Sequence, residues 1–178
     1  MIGRKNLFTV ALIIMPVFGS AGVEPSPQVK RGHYLVELAG CSHCHTPGHF
    51  RGAEDATREL AGGDVGFEVP GAGTYIGPNL TPDKETGLGK WTDTQIATAI
   101  RSGVRPDGRV LSTVMPWPDF SHLSDADLNA IIAYLQALRP IVNKVPGPFP
   151  AGKTLGISAW RMFIPLQQNQ QDHWSHPE

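Results

Sequence analysis

The chain carries two cysteines, both inside one five-residue stretch, Cys41-Ser42-His43-Cys44-His45. Nothing else in the sequence restricts the fold so tightly. Two thiols separated by two residues fit within a single turn of chain, and an imidazole follows the second directly. A structural zinc site would need a second ligand pair, and the sequence has no further cysteine to help supply one. A thioredoxin-like dithiol belongs in a strand–helix–strand setting that the flanking residues lack. A plain disulfide, the default for cysteines in an exported protein, leaves the adjacent histidine unexplained.

Covalent attachment of a haem accounts for all three residues. Each thiol adds to one porphyrin vinyl group, the two vinyls lie on neighbouring pyrroles, and the C-x-x-C spacing spans that gap. His45 then falls beneath the iron as an axial ligand. The pattern predicts one haem c, bound through Cys41 and Cys44. For the opposite face the candidates are His33, His43, His49, His122, Met115 and Met162. Met115 lies in Ser112-Thr113-Val114-Met115-Pro116-Trp117, where Pro116 and Pro118 are expected to keep the chain extended and outside any helix. That would leave its thioether free to face the haem. Met162, between Trp160 and Phe163-Ile164, reads as packing; His122 is the next candidate, and His33 and His49 read as surface residues.

The 178 residues suit one compact domain with a tail. A 40% apolar content supports a core, and a formal charge of −1 argues against a nucleic-acid partner. The 20 glycines and 16 prolines imply extensive loops, which a bulky cofactor would organise. Arg4 and Lys5, the uncharged run Leu7–Phe18, and small Gly19, Ser20 and Ala21 have the layout of a secretory leader. Residues 1–21 therefore read as a signal peptide or, uncleaved, as an N-terminal anchor tethering the protein through residues 6–23. Either way the destination is the periplasm or the outer face of the bacterial inner membrane. Residues 22–140 form the expected haem domain, and 141–170 an extended tail packing on that domain or on a partner. Trp174-Ser175-His176-Pro177 resembles the start of a streptavidin-binding tag, so 171–178 read as a tag remnant, and His173 and His176 are set aside.

Three helices show end signals. The first has Ser26 as N-cap, Pro27 at its first position, and runs toward Gly40, with Gly32 best explained by a second helix crossing closely. The second opens with a Thr92/Gln95 capping box and a Trp91–Ile96 staple and ends at Gly103. The third opens at Ser124, with Asp127 at the box position and Leu123–Leu128 as staple, and is expected to stop after Arg139, before Pro140. Leu128, Ile131, Ile132 and Leu135 follow the helical period. Its Tyr134 and Leu138 would close over Gly32. No convincing alternating strand is visible, and Gly62–Asp83 reads as loop along the haem edge. The expected fold is all-α, three to five short helices wrapped by loops around one haem.

The haem motif, Gly77-Pro78-Asn79-Leu80, Met115-Pro116 and the last helix, in this order, make the chain resemble a class I cytochrome c. More narrowly, Ile76-Gly77-Pro78-Asn79-Leu80-Thr81-Pro82-Asp83, Trp91-Thr92-Asp93 and Ile100-Arg101-Ser102-Gly103-Val104-Arg105-Pro106-Asp107-Gly108 are similar to single-haem modules in cytochrome subunits of periplasmic quinoprotein, flavoprotein and molybdenum dehydrogenases. Many of those subunits carry three haem motifs; this chain carries one. The resemblance implies that the Pro78 carbonyl accepts the axial histidine's second N–H, and that Tyr75 and Trp91 donate to haem propionates. Arg101, Arg105 or Arg109 would neutralise them. An iron held by His45 and Met115 would have no position open to small molecules, so the expected role is an electron-transfer protein rather than an enzyme, with a dehydrogenase as donor, an oxidase or cytochrome as acceptor, and a docking rim at the haem edge that includes Pro116 and Trp117. The rivals are a haem enzyme or ligand sensor with an open sixth position, and an obligate subunit of a larger membrane complex.

Overall fold

The structure is a computed structural model and describes residues 24–153, 156 and 158–161. The leader, Met162 and the tag-like end lie outside the described residues. In chain order the elements are α1 (Pro27–Leu38), α2 (Cys41–His45), β1 (Gly66–Val69), β2 (Gly73–Tyr75), α3 (Asp93–Ser102), α4 (Trp117–Phe120), α5 (Asp125–Ala137) and β3 (Ala159–Arg161), with short 3-10 turns at His49–Arg51 and Ala56–Arg58. The protein is mostly helix and loop, as expected.

The helix starts are decided locally. At α1 the Ser26 side chain accepts from the Val29 amide, and Pro27 takes the first position, where its missing N–H costs nothing. At α3 both halves of the Thr92/Gln95 capping box form, Trp91 packs on Ile96, and the helix closes on left-handed Gly103. At α5 the Ser124 hydroxyl accepts from the Asp127 amide at 3.1 Å. This helix ends at Ala137, earlier than expected, with Leu138 already extended. Pro140 disfavours helical geometry at Arg139, and the last turn unwinds ahead of it.

The core is built where α1 crosses α5. A Cβ on Gly32 would lie 2.6 Å from the Ala130 carbonyl carbon and 2.8 Å from Tyr134 Cβ, so only glycine permits this approach. Around the crossing, Leu35 and Val36 pack with Ala130, Ile131, Tyr134 and Leu135, and with Leu60 from the intervening loop. Ile96, Leu128 and Ile132 form a second cluster that joins α3 to α5.

Two expectations are corrected. Gly62–Asp83 is not wholly loop: β1 pairs antiparallel with β2, Phe67 opposite Tyr75, and parallel with β3, Phe67 opposite Trp160. Strands of three or four residues are too short to display alternation, and β3 arrives from far along the chain. The prolines at 116 and 118 do not keep their stretch extended either. Pro116 caps α4 and Pro118 sits inside its first turn, where proline is tolerated, while Met115 ends a turn closed by its own amide on Ser112 O at 3.1 Å.

After α5 the chain runs back across the domain. Ile141 accepts from Asn79 Nδ2 at 2.7 Å and donates to Thr81 Oγ1 at 3.1 Å. Asn143 Nδ2 donates to Ala61 O at 2.7 Å, and Phe149 exchanges two backbone hydrogen bonds of 2.9 Å with Thr74.

Candidate haem-binding site

One cavity of about 730 Å³ opens between these elements, within the range of small-molecule and cofactor sites. Leu35, Ile96, Ile100, Leu111 and Ile131 are among its apolar walls. Because α2 begins directly after left-handed Gly40, the attachment motif becomes one helical turn, and Cys41, Cys44 and His45 all line the cavity. The two cysteines do not pair with each other as a disulfide. Burial pushes the Cys41 thiol up to about 11 and raises that of Cys44, so both are held protonated.

His45 is 8% exposed, and its Nδ1 lies 2.7 Å from Pro78 O. A carbonyl only accepts, so Nδ1 carries the proton and the lone pair is on Nε2, the tautomer suited to ligating a metal. Burial lowers the imidazole's pKa against the opposing pull of the Pro78 carbonyl, which keeps the ring neutral. Gly77 is part of this arrangement: a Cβ there would stand 2.7 Å from the Cys44 carbonyl carbon and 3.2 Å from His45 Nδ1.

Met115, half-buried, also lines the cavity, together with Tyr75, Pro78 and Trp91. The Tyr75 hydroxyl donates to Ala72 O at 3.4 Å, and the Arg105 guanidinium stacks over the Trp91 ring at 5.0 Å. Arg105 and Arg109 both border the cavity. Arg105 Nε is buried without a hydrogen-bond partner; Asp107 Oδ2, 3.5 Å away, gives it only an ion pair. Burial and the neighbouring Arg105 pull the Arg109 guanidinium below its ordinary value.

Other expected residues lie elsewhere. Arg101 turns away from the cavity to pair with Asp125 at 2.7 Å and donate to Leu123 O at 2.5 Å. Trp117 packs on Gly103 and donates to Leu111 O at 3.3 Å, so it does not line the rim, whereas exposed Pro116 does. His122 and His43 are exposed, the latter stacked on His49 at 4.2 Å, and exposed His33 stacks on Tyr134 at 4.9 Å. The ligating atoms of His33, Glu37 and Glu59 come within 4.8 Å of one another, an arrangement that the stack on Tyr134 and its hydroxyl's bond to Glu59 explain. The sequence reading missed Phe67 of β1 and the wall formed by Lys144–Pro148. The wall's advance signals were the expected packing of residues 141–170 on the domain or on a partner and the proline run at 146, 148 and 150, which mark extended chain without saying where it goes.

The residues fit a haem. Two thiols and a neutral buried imidazole face an apolar cavity of cofactor size, and Arg105, whose buried Nε lacks a hydrogen-bond partner, borders it with Arg109 as a counter-charge for carboxylates. This donor set on a mostly helical, loop-rich fold defines a c-type haem protein.

Comparison with known proteins narrows this. The cytochrome c family pattern matches residues 29–139, and the chain belongs to the cytochrome c family, whose haem is covalently attached and serves electron transport. It is similar to the cytochrome c subunit of a quinone alcohol dehydrogenase from Gluconobacter oxydans, 34% identical over 155 residues, 83% of this chain and 30% of that protein. It is also similar to the fructose dehydrogenase cytochrome subunit of Gluconobacter japonicus, 34% identical over 147 residues, 79% of this chain and 28% of that one. The gluconate 2-dehydrogenase cytochrome c subunit of Pantoea cypripedii is 34% identical over 142 residues, 77% of this chain and 30% of that protein. The chain thus spans under a third of the length of these relatives.

Proposed function

We propose that the protein carries single electrons through one haem c attached at Cys41 and Cys44, with His45 and Met115 as axial ligands. In this reading it passes electrons from a periplasmic or membrane-bound dehydrogenase toward a respiratory acceptor, as a free carrier or as a subunit of the dehydrogenase complex. The observation that carries the reading is the buried His45, oriented by Pro78 O at 2.7 Å, on the wall of a cavity that Met115 also lines.

When bound, the haem supplies a one-electron iron couple. The chain's residues set its conditions. Pro78 fixes the His45 ring and raises its basicity through the Nδ1 proton. The Ser112–Met115 turn and α4 hold the Met115 thioether at the cavity, and a thioether is a weak donor that raises the potential. With His45 and Met115 both holding the iron, Leu35, Ile96 and Ile131 would keep water from it and no position would be left for substrate chemistry. Arg105 and Arg109, which border the cavity, would neutralise the propionates. Relatives named as cytochrome subunits of alcohol, fructose and gluconate dehydrogenases support a dehydrogenase as donor, and the leader-like residues 1–21 support a periplasmic or outer-face location.

The test is the visible spectrum of protein made in a host able to attach haem. The oxidised wild type should be low-spin with the weak long-wavelength iron–thioether band, and Met115→Ala should lose that band. A high-spin wild-type spectrum would overturn electron relay in favour of ligand chemistry at an open sixth position.

A further inference from the structure

The segment that follows α5 is tied down along the wall of the cavity that Cys44 and His45 also line. We propose that residues 141–149 form a strap that seals this side of the cavity against water and so holds the iron couple at a raised potential. The inference rests on the haem reading above and deepens it.

Lys144, Val145, Pro146 and Pro148 line the same cavity as Cys44 and His45. The strap is anchored at both ends. Ile141 bonds to Asn79 and Thr81, which are 2% and 0% exposed. The Asn143 amide donates to Thr86 Oγ1 at 3.0 Å and its side chain to Ala61 O at 2.7 Å, while Phe149 pairs with Thr74. Between these anchors Val145 lies against Gly62, where φ is +106° and any Cβ would strike the Val145 side chain. The Gly62 amide itself donates to His45 O at 2.7 Å, so the strap rests on the backbone that carries the histidine. Asn79, which grips Ile141, follows Pro78, the acceptor for His45 Nδ1. Pro146 and Pro148 limit the freedom the undocked segment would regain.

Oxidation removes one electron and leaves the iron–porphyrin unit one charge more positive. Water close to that charge stabilises it, and a dry wall withholds that stabilisation. Freeing the strap should therefore lower the potential.

Asn143→Ala and Thr81→Val each remove strap anchors with little change in core volume. Potentiometric titration of the full-length holoprotein, with amide hydrogen exchange, supplies two readouts. In both variants the amides of residues 141 and 143 should exchange faster, and the couple should move about tenfold toward the oxidised form, equal to ~59 mV for one electron. Arg31→Ala, which breaks the pair with Asp127 at 2.9 Å away from the strap, should cost stability and leave the potential unchanged. Faster exchange with an unmoved potential would overturn the proposal. Unchanged protection in both variants would overturn it too, since these anchors would then not hold the strap. Absence of any redox couple would instead count against the haem reading.

Discussion

Gly32→Ala sets two effects of opposite sign against each other on one methyl group. Alanine is the better helix former by about 1 kcal/mol in a helix interior, so an isolated α1 would gain from the change. In the folded protein the added Cβ would fall 2.6 Å from the Ala130 carbonyl carbon and 2.8 Å from Tyr134 Cβ. Carbon atoms prefer separations of about 3.5–4.0 Å, so the helices must part by roughly 1 Å. The opposing atoms are backbone and a Cβ, and no rotamer change relieves them. Parting loosens Leu35, Val36, Ile131 and Leu135 together. Forced overpacking costs about 1–3 kcal/mol, and occasionally more; with the whole crossing displaced, the upper end applies. Net of the propensity gain, the variant should lose about 2 kcal/mol. Thermal unfolding of the holoprotein, followed by far-ultraviolet circular dichroism, should show a Tm lower by roughly 5–10 °C. A Tm equal to or above wild type would refute the argument, because propensity would then outweigh the close approach.

Asp83 accepts from the Thr86 amide and hydroxyl, both at 2.6 Å, and from the Glu85 amide at 3.2 Å, and these bonds hold its carboxyl below the usual carboxylate range. Its contribution to stability should be complete above the ordinary carboxylate pKa and be lost as pH falls through the depressed folded value; Asp83→Asn should therefore flatten the acid limb of a Tm-against-pH curve. Tyr134→Phe removes the 2.9 Å bond to Glu59 and should cost about 1–2 kcal/mol in denaturant unfolding, with the visible spectrum unchanged. In Cys44→Ala one thioether remains through Cys41, and haem staining on a denaturing gel should persist; loss of that stain only in the Cys41/Cys44 double variant would bear out two attachment points.

Short-range physics made much of this protein readable in one dimension. The caps at Ser26, Thr92 and Ser124 act across three residues, so each helix start was visible without knowing what the helix packs against. The Cys41–His45 motif was equally plain, because its chemistry is a spacing along the chain. Gly32 announced a helix crossing through its own cost.

What escaped depends on residues brought together from far apart. β3 exists only because β1 offers it an edge, and three residues carry no period of their own. Prolines 116 and 118 have one meaning in an extended chain and another at a helix start, and the packing of α4 decided between them. Arg101 and Arg105 are indistinguishable in sequence, yet one turns to Asp125 and the other toward the cavity. Asn79, Thr81 and Asn143 are unremarkable polar residues until the fold buries them as the anchors of the strap. Spacing specified which groups could react; long-range closure, which no local pattern encodes, decided what surrounds them.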